Sequence, residues 1–407
     1  MGITTSAISR FLTSSGNRAA YLFDREALTR NAESLFHAFR SVYGNFRIAY
    51  SFKTNYLREI CLTLKALGVM AEVVSPDELY YAGRLCFAPG QTVYNGVIPD
   101  IPGKFQIAAE GGYVNVDNLR EYAELSKFAE ARRKSIRIGV RANIDIGNGL
   151  TSRFGLDVTG DDFHTPMGAL ENDPYVTFGG FHCHIGTSRP VRYWETKAKK
   201  MIELCRKRGA SYLDLGGGMF GPMPQELADQ FSEYEGTFQA YADVTARLMK
   251  EAFPDERVTL IVEPGTALVG DGMSVVAVVT DVKTVRGQTY ITVNCCSNQA
   301  GFICDCKDIP LTVFPTGSGE RRTVENGIIA GNTCLEFDYL RKGVSGEFGI
   351  SDAVLFRNLG AYSLSCARQF IIPRPGVYDA QSLKCLREPE TSEDMFRNYF
   401  ASRASFG

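Results

Sequence analysis

Between residues 20 and 270 the sequence alternates short apolar segments with longer amphipathic ones, and this alternation constrains the fold most strongly. Helix-like patterns lie between most of the apolar segments, for example at residues 25–42, 118–133 and 196–208. Repeated strand-then-helix units predict a parallel sheet with right-handed crossovers, and about eight units predict a closed (β/α)8 barrel. The strand-like segments are residues 21–23, 46–50, 71–74, 92–94, 113–116, 136–141, 178–182, 212–215 and 259–262.

The pattern changes near residue 273. Residues 274–282 and 289–294 are rich in β-branched side chains, and few long helical patterns follow them. This pattern predicts a mostly-β C-terminal domain. The fold class is therefore α/β plus β, with a parallel barrel over residues 33–272 and a β-rich domain formed by residues 1–32 together with 273–407.

Composition narrows the possible functional classes. The formal net charge is −2, so no overall field favours nucleic acid or an acidic membrane surface. The 11 cysteines form no CxxC pair, so we expect no metal site, and this many thiols is typical of a reducing cytoplasm. Residues 1–17 lack a long apolar core and no apolar run reaches the length of a membrane span, so we expect neither a signal peptide nor a transmembrane helix.

Lys53 closes the apolar segment 46–50 within the hexapeptide YSFKTN. A lysine at such a position faces an interior where a bare ammonium is costly, and it can form a Schiff base with a carbonyl compound. Lysines that extend from a strand rim to water are common, however. The hexapeptide alone therefore favours the simpler role of a surface lysine.

Two of the four histidines, His182 and His184, stand two positions apart in FHCHIG, so their side chains point the same way on a strand. A metal-binding pair is one interpretation, but no further histidine or paired cysteine completes a ligand set. An imidazole that stacks on a flat cofactor is a second interpretation. A pair of core histidines satisfied by hydrogen bonds is the third.

Three further elements follow apolar segments. The glycines of LDLGGGMFG, residues 216–218, could present backbone N–H groups to an anion or simply form a tight turn. Glu263 of VEPG could hold a proton on a heterocyclic nitrogen or cap the next helix. Cys334 lies in a polar loop, where its thiol could transfer a proton or be a small buried hydrophobe.

Together these elements resemble the fold type III (alanine-racemase-like) pyridoxal 5'-phosphate (PLP) decarboxylases, the group of diaminopimelate and ornithine decarboxylases. SFKTN is similar to that family's lysine motif, HCHIG to its stacking-histidine motif, LDLGGGMFG to its phosphate loop and VEPG to its pyridine-nitrogen motif. Cys334 lies in what resembles the family's cysteine motif, and Tyr362 in what resembles its C-terminal phosphate-binding motif. The resemblance runs from about Tyr21 to Phe370.

The resemblance implies a role for each of these residues. Lys53 would hold PLP as a Schiff base, and His184 would stack on the ring. Glu263 would keep the ring nitrogen protonated, and Cys334 would protonate the substrate carbon after CO2 has left. The cofactor contacts implied in addition are Arg141, His182, Thr187, Gly216, Gly217, Gly218, Gly265, Thr266 and Tyr362.

The resemblance also implies a homodimer, in which Cys334 and Asp338 of one chain complete the active site of the other. The family's cysteine is usually followed by an acidic residue that binds the distal ammonium of a diamino acid, but here Leu335 follows it. An apolar side chain cannot pair a cation, and adjacent Glu336 need not point to the same place. We therefore expect an amino-acid substrate with a less charged or modified distal end, not a simple diamino acid.

Two more departures bear on ligand binding. Thr266 stands where the family often has an arginine that meets the phosphate. The segment around Asp305 lacks the arginine that diaminopimelate decarboxylases use for the distal carboxylate. The residues expected to contact the substrate are Cys334, Leu335, Glu336, Asp338 and Asp305.

Three other functions fit part of the pattern. A PLP racemase on the same barrel would use the lysine with a tyrosine base, whereas VEPG and the cysteine motif favour decarboxylation. A non-catalytic regulatory homologue would be expected to lack key residues that are present here. A metal hydrolase built on His182 and His184 would leave Lys53 and the glycine triplet unexplained.

Overall fold

The structure, a computed structural model, describes residues 5–301 and 303–400. It divides into two compact units. The barrel unit consists of residues 29–222 and 233–268. The β-rich unit consists of residues 223–232 together with the described parts of 1–28 and 269–407.

The chain begins with α1 (Thr5–Ser15) and β1 (Ala20–Phe23), which belong to the β-rich unit. The next nine strands are β2 (Phe46–Ser51), β3 (Met70–Val73), β4 (Thr92–Tyr94), β5 (Tyr113–Val116), β6 (Ile136–Asn143), β7 (Leu156–Asp157), β8 (Val176–His182), β9 (Tyr212–Asp214) and β10 (Thr259–Val262). Among the described residues, eight of these strands pair in parallel in the ring order β2-β3-β4-β5-β6-β8-β9-β10 and back to β2, while β7 pairs only with β6. The predicted barrel is confirmed.

Several helices in this part of the chain begin at a side-chain cap or end at a left-handed residue. Ser75 accepts a hydrogen bond from the N–H of Glu78 at 3.1 Å, and Asn118 accepts one from Glu121 at 3.0 Å. Gly209, with φ at 64°, ends the long eighth helix in a left-handed conformation. The helices are α2 (Arg25–Arg40), α3 (Arg58–Ala66), α4 (Pro76–Arg84), α5 (Ile101–Ala109), α6 (Leu119–Arg132), α7 (Asp161–Leu170), α8 (Val191–Arg208), α9 (Gln225–Ala228), α10 (Phe238–Ala252) and α11 (Thr266–Val269).

The β-rich unit is built on a mixed sheet in which β1 pairs in parallel with β17 (Gly376–Asp379) and antiparallel with β11 (Met273–Val285). The apolar face of α1, formed by Ile8, Phe11 and Leu12, belongs to the same core cluster as residues of β1 and β11. This unit confirms the predicted mostly-β domain. Its elements are β11 (Met273–Val285), β12 (Gln288–Val293), α12 (Ser297–Ala300), α13 (Ile303–Cys306), β13 (Leu311–Phe314), β14 (Arg321–Ala330), β15 (Tyr339–Gly349), β16 (Ala353–Phe356), β17 (Gly376–Asp379), β18 (Cys385–Arg387) and α14 (Ser392–Phe400).

The barrel strands are buried along most of their length, because helices cover the outer face and side chains fill the interior. Several of these strands nevertheless carry one buried polar residue at or near the carboxyl end, for example Glu72, Asn115 and Asp214. In barrels of this type the carboxyl ends of the strands form the active-site face. No helix of the described residues is long and apolar enough to cross a bilayer.

Candidate active site

Lys53 lies in a short 3-10 helix, Phe52–Thr54, directly after β2. Its Nζ atom is 2.7 Å from Oε2 of Glu72 on β3 and 2.6 Å from Oγ of Ser51, the last residue of β2. The Glu72 side chain is almost completely buried, whereas one third of the Lys53 side chain is exposed. The amine is therefore held by a buried carboxylate while it stays accessible to a ligand.

A chain of hydrogen bonds crosses the barrel interior from Glu72. Nδ2 of Asn95 lies 3.3 Å from Oε1 of Glu72 and 2.5 Å from Oε1 of Glu263, so one amide group serves two carboxylates. Oδ1 of Asn95 accepts from Asn115 at 2.8 Å, and Oδ1 of Asn115 accepts from the hydroxyl of Tyr212 at 2.7 Å. Side chains in or directly after separate strands thus form one buried polar layer, which Glu72 connects to Lys53.

Glu263 follows β10 and is buried, with Oε2 lying 3.2 Å from Nε2 of His182. Burial alone raises the pKa of Glu263, but the charge of His182 and its hydrogen bond outweigh burial and hold that pKa well below its usual range. Nδ1 of His182 has no hydrogen-bond partner in the described part of the chain. Glu263 is therefore an ionised carboxylate inside the barrel, where it can accept a hydrogen bond from a protonated ring nitrogen.

His184 lies two residues after His182 but has different partners. Its Nδ1 accepts a hydrogen bond from the backbone N–H of Gly217 at 2.8 Å, which places the ring proton of the neutral form on Nε2. His184 keeps part of its surface accessible. Burial among protein atoms, and then the charge of Lys53, hold the pKa of His184 well below its usual range. A neutral, flat ring in this place can stack on an aromatic ligand.

The glycine loop, residues 215–218, follows β9. The N–H of Gly216 donates to Oδ1 of Asp214 at 2.9 Å, and the N–H of Gly217 is used by His184. Gly218 has φ at 86°, and its N–H meets no acceptor among the residues that the structure describes. A Cβ atom on Gly218 would lie 2.8 Å from the carbonyl oxygen of Ile185. The loop is thus closely packed, and it keeps one N–H group for an external anion.

Two side chains of α8 hold the carbonyl groups of the glycine loop. Nζ of Lys197 donates to the carbonyl oxygen of Leu215 at 2.7 Å, and Nε1 of Trp194 donates to that of Gly218 at 2.8 Å. The ammonium of Lys197 also lies 3.6 Å from the centre of the Trp194 ring. Burial lowers the pKa of Lys197 to about 8, so most of it is charged at neutral pH. Because the carbonyls of Leu215 and Gly218 are held in this way, the loop backbone is fixed.

Two further residues of the predicted site, Arg141 and Thr187, form hydrogen bonds within the barrel unit. Arg141 is buried, with its guanidinium 3.5 Å from Oδ1 of Asp117 and 3.3 Å from the carbonyl oxygen of His184. Exposed Thr187 accepts a hydrogen bond from Asn148 at 3.2 Å.

Gly265 and Thr266 follow β10. A Cβ atom on Gly265 would lie 2.0 Å from Oγ1 of Thr54, so only glycine fits beside the turn that carries Lys53. Thr266 begins the short helix α11.

In the β-rich unit, the exposed residues Cys334, Leu335 and Glu336 lie in the loop between β14 and β15. Asp338 closes that loop and is buried. Its Oδ1 accepts from the N–H and the hydroxyl of Ser297, both at 2.8 Å, and its Oδ2 accepts from the hydroxyl of Thr333 at 2.6 Å. Both carboxylate oxygens are therefore engaged within the same chain.

Tyr362, also in the β-rich unit, is half-buried and has a left-handed backbone with φ at 58°. Asp305 lies in α13, and its side chain is outside the described part of the structure.

Comparisons with known proteins agree with this geometry. A family model described as the pyridoxal binding domain of pyridoxal-dependent decarboxylases matches residues 29–270, more than half of the chain. The chain belongs to this family. Membership confirms the PLP cofactor and the amino-acid decarboxylation that the motifs predict.

Several individual proteins are similar over most of the chain. A diaminopimelate decarboxylase of Aquifex aeolicus is 28% identical over 391 residues, covering 87% of this chain and 86% of that protein. The L-glutamyl-(BtrI acyl-carrier protein) decarboxylase of Niallia circulans is 24% identical over 416 residues, covering 91% and 94%. A solved diaminopimelate decarboxylase from M. jannaschii has a TM-score of 0.82 at 22% identity, covering 94% and 92%, which shows that the two share a fold.

The hydrogen-bonding and nucleophilic groups of the barrel unit fit PLP. The N–H of Gly218, which meets no acceptor among the described residues, can donate a hydrogen bond to a phosphate. Ionised Glu263 can accept a hydrogen bond from a protonated ring nitrogen, and the accessible amine of Lys53 can react with an aldehyde. Sequence analysis missed the polar layer around Asn95, as well as Asp214 and the two α8 side chains behind the glycine loop. A polar residue inside an otherwise apolar parallel strand, such as Asp214 in YLDL, is the signal that could have indicated the layer.

Proposed function

We propose that this decarboxylase acts on an amino acid whose distal end carries no free ammonium group, such as an acylated or carrier-linked intermediate. The observation that carries the proposal is Leu335, an apolar and 44% exposed side chain next to Cys334. An apolar side chain cannot offset the cost of desolvating a distal ammonium. The Niallia relative, whose name gives its substrate as an L-glutamyl group on a carrier protein, supports a modified substrate for this chain as well.

In this proposal Lys53 would hold PLP, which when bound would supply an electron sink for the loss of CO2 from the substrate. Glu72 and Ser51 hold the Lys53 amine at the end of β2. Ionised Glu263 holds a proton on the ring nitrogen, and Asn95 and His182 keep its carboxylate in place. Because Glu263 and His182 are buried, these residues would orient the reacting groups in a site of low polarity.

The flanking groups bind the flat ring and the phosphate. Neutral His184 would stack on the ring, because its Nδ1 is already bound to Gly217 and the residue is only partly buried. The N–H of Gly218 and the hydroxyl of exposed Thr187 donate to the phosphate. Gly216 and Gly217 shape the loop, since their own N–H groups are used within the protein. Arg141, beside the carbonyl of His184, adds a buried positive charge.

We further propose that the protein is a homodimer in which the partner subunit's Cys334 donates the proton to the carbon that has lost CO2. Exposure of Cys334, Leu335 and Glu336 in one loop is consistent with insertion of that loop into a second chain. In this arrangement Asp338 acts through the loop, because both of its oxygens bind Ser297 and Thr333 of its own chain. The cytoplasmic location expected from the cysteine content stays a prediction.

A substrate screen tests the function. Purified protein with PLP is incubated with diaminopimelate, ornithine, lysine, acylated diamino acids and an L-glutamyl thioester, and CO2 release and the amine product are measured. We expect turnover of a substrate with a neutral or modified distal end. Comparable turnover of free diaminopimelate or ornithine at micromolar KM would contradict the substrate proposal but not the reaction type. Loss of the substrate's optical activity without release of CO2 would indicate a racemase.

A further inference from the structure

Asp214 is a buried carboxyl group beside Glu263 that the proposed chemistry leaves without a role. It ends β9, and its residue exposure is 0%. Oδ1 accepts the N–H of Gly216 at 2.9 Å, whereas Oδ2 has no donor among the residues described. One side-chain donor atom from each of Asp214, Glu263 and His182 falls in a group whose members all lie within 4.8 Å of one another. An orphaned buried oxygen next to a second carboxylate requires an explanation.

Two carboxylates this close in the barrel interior cannot both be ionised without a large electrostatic cost, so the pair shares a proton. The neighbouring groups decide which member keeps it. Glu263 already receives the amide of Asn95 and faces His182, which favour its charged form. Asp214 receives only one backbone N–H at Oδ1, and the charge of Glu72 acts against its ionisation.

Lys197 is the cation whose charge interacts with Asp214 from α8, and its ammonium is bound to the carbonyl oxygen of Leu215. Burial, and then the charge of Glu263, raise the pKa of Asp214 well above its usual range. The pKa of Glu263 moves the opposite way. Both directions agree with a proton that stays on Asp214.

We propose that Asp214 is a positioning residue that remains protonated at neutral pH and donates from Oδ2 to Glu263. This hydrogen bond holds Glu263 ionised and oriented. Through Oδ1 the same carboxyl group fixes Gly216, so one side chain couples the carboxylate for the ring nitrogen to the loop for the phosphate. The inference rests on the proposed role of Glu263, and it assigns to Asp214 a function that depends on its proton and not on a negative charge.

Substitution distinguishes a proton from a charge. Asp214→Asn in the full chain keeps a carbonyl oxygen for Gly216 and offers an N–H group to Glu263, so it imitates the protonated acid. We expect its Kd for PLP and its kcat/KM to stay within about threefold of the unsubstituted enzyme. Asp214→Leu has similar volume but no donor, and we expect PLP affinity to fall at least about tenfold, the effect of losing a hydrogen bond to a charged group.

Infrared spectroscopy gives a readout that does not depend on activity. The stretch of a protonated carboxyl should be present at neutral pH, disappear in Asp214→Asn and shift in Glu263→Gln, where the acceptor changes. Glu78→Gln is the matched control, because burial also raises the pKa of Glu78, and its band must be separable.

Three results would overturn the proposal. The first is the absence of any carboxyl band that is lost specifically in Asp214→Asn. The second is a loss of PLP affinity in Asp214→Asn that is as large as the loss in Asp214→Leu. The third is a stoichiometric metal ion in the purified protein that Asp214→Asn releases. Failure of this proposal can be distinguished from failure of the proposed function. The infrared band can be assigned to Asp214 whether or not any tested amino acid is decarboxylated.

Discussion

The backbone N–H of Gly217 and Nδ1 of His184 are joined by a hydrogen bond of 2.8 Å, and this bond links the glycine loop to the segment that follows β8. It fixes the tautomer and the orientation of a ring proposed to stack on the cofactor. A Cβ atom at position 217 would lie 2.5 Å from the backbone oxygen of Glu263 and 3.2 Å from Cε1 of His184. The bond therefore depends on glycine at this position.

Gly217→Ala is expected to lower the affinity for PLP at least about tenfold, because overpacking displaces the loop or the histidine. Gly83→Ala is the matched control, since Gly83 is exposed on α4 and a Cβ atom there meets no atom within 4 Å. Titration of each variant with PLP, followed by absorbance, measures the effect. Equal affinities for the two variants would show that the loop tolerates the added methyl group.

Stability should depend on pH through His184. Its pKa in the folded state lies well below the value of about 6.5 for an unfolded histidine. The unfolded state therefore binds the proton first, and the stabilisation present above pH 6.5 is lost as the pH falls. Urea unfolding between pH 7 and 5 should show a steeper loss for the unsubstituted protein than for His184→Gln. The exposed-histidine variant His37→Gln should keep the steep dependence, and a parallel change in all three proteins would refute the assignment.

Trp194→Phe removes the donor to the carbonyl of Gly218 but keeps an aromatic ring beside Lys197. If α8 positions the loop for a phosphate, the Kd for PLP should rise several-fold, as expected for one lost hydrogen bond. The affinity for pyridoxal, which has no phosphate, should change little. Dialysis and absorbance can measure both ligands. An equal loss for PLP and pyridoxal would mean that Trp194 supports the fold and not the phosphate site.

Leu335→Glu tests the origin of substrate selection. A carboxylate beside Cys334 should pair with a distal ammonium, so the ratio of kcat/KM for ornithine or diaminopimelate to that for the preferred substrate should rise at least about tenfold. Phe337→Glu introduces the same charge at another exposed position of the loop and serves as the control. A similar change of the ratio in both variants would assign the effect to loop charge in general.

Mixing two inactive variants tests the shared active site. Lys53→Ala lacks the covalent link to PLP, and Cys334→Ala lacks the proposed proton donor. If Cys334 serves the partner's site, random reassociation should restore about one quarter of the normal activity, because half of the dimers contain one intact site of two. Size-exclusion chromatography should show the dimer in each preparation. Activity that stays at the level of the separate variants after subunit exchange would place both residues in one chain's site.

Much of the fold follows from hydrophobic patterning. The predicted strand 178–182 is observed as Val176–His182, and the predicted helix 118–133 as Leu119–Arg132. Apolar periodicity is a local property, so a single sequence is sufficient to place such elements. Lys53 shows what hydrophobic patterning does not predict, because this residue lies in a 3-10 turn after the predicted strand. That turn directs its amine back to Glu72 on the next strand.

The interior of the site could not be predicted in the same way. Asn95 binds Glu263, which is 168 positions later, and Asp338 binds Ser297, which is 41 positions earlier. Partners of this kind are set by strand order and side-chain direction, which a local pattern does not contain. The motifs predict which residues meet the cofactor, whereas the structure shows which neighbours hold those residues in place.

The buried carboxylate of Asp338 has a consequence for how such enzymes diverge. It fixes the base of the loop from inside the β-rich unit, through Ser297 and Thr333, and leaves Leu335 and Phe337 exposed. Different residues of one short segment therefore hold the loop in place and form its exposed surface. Exchanges at the exposed positions can accumulate without a change in backbone conformation, so an existing scaffold can acquire new substrates by substitutions that cost little stability.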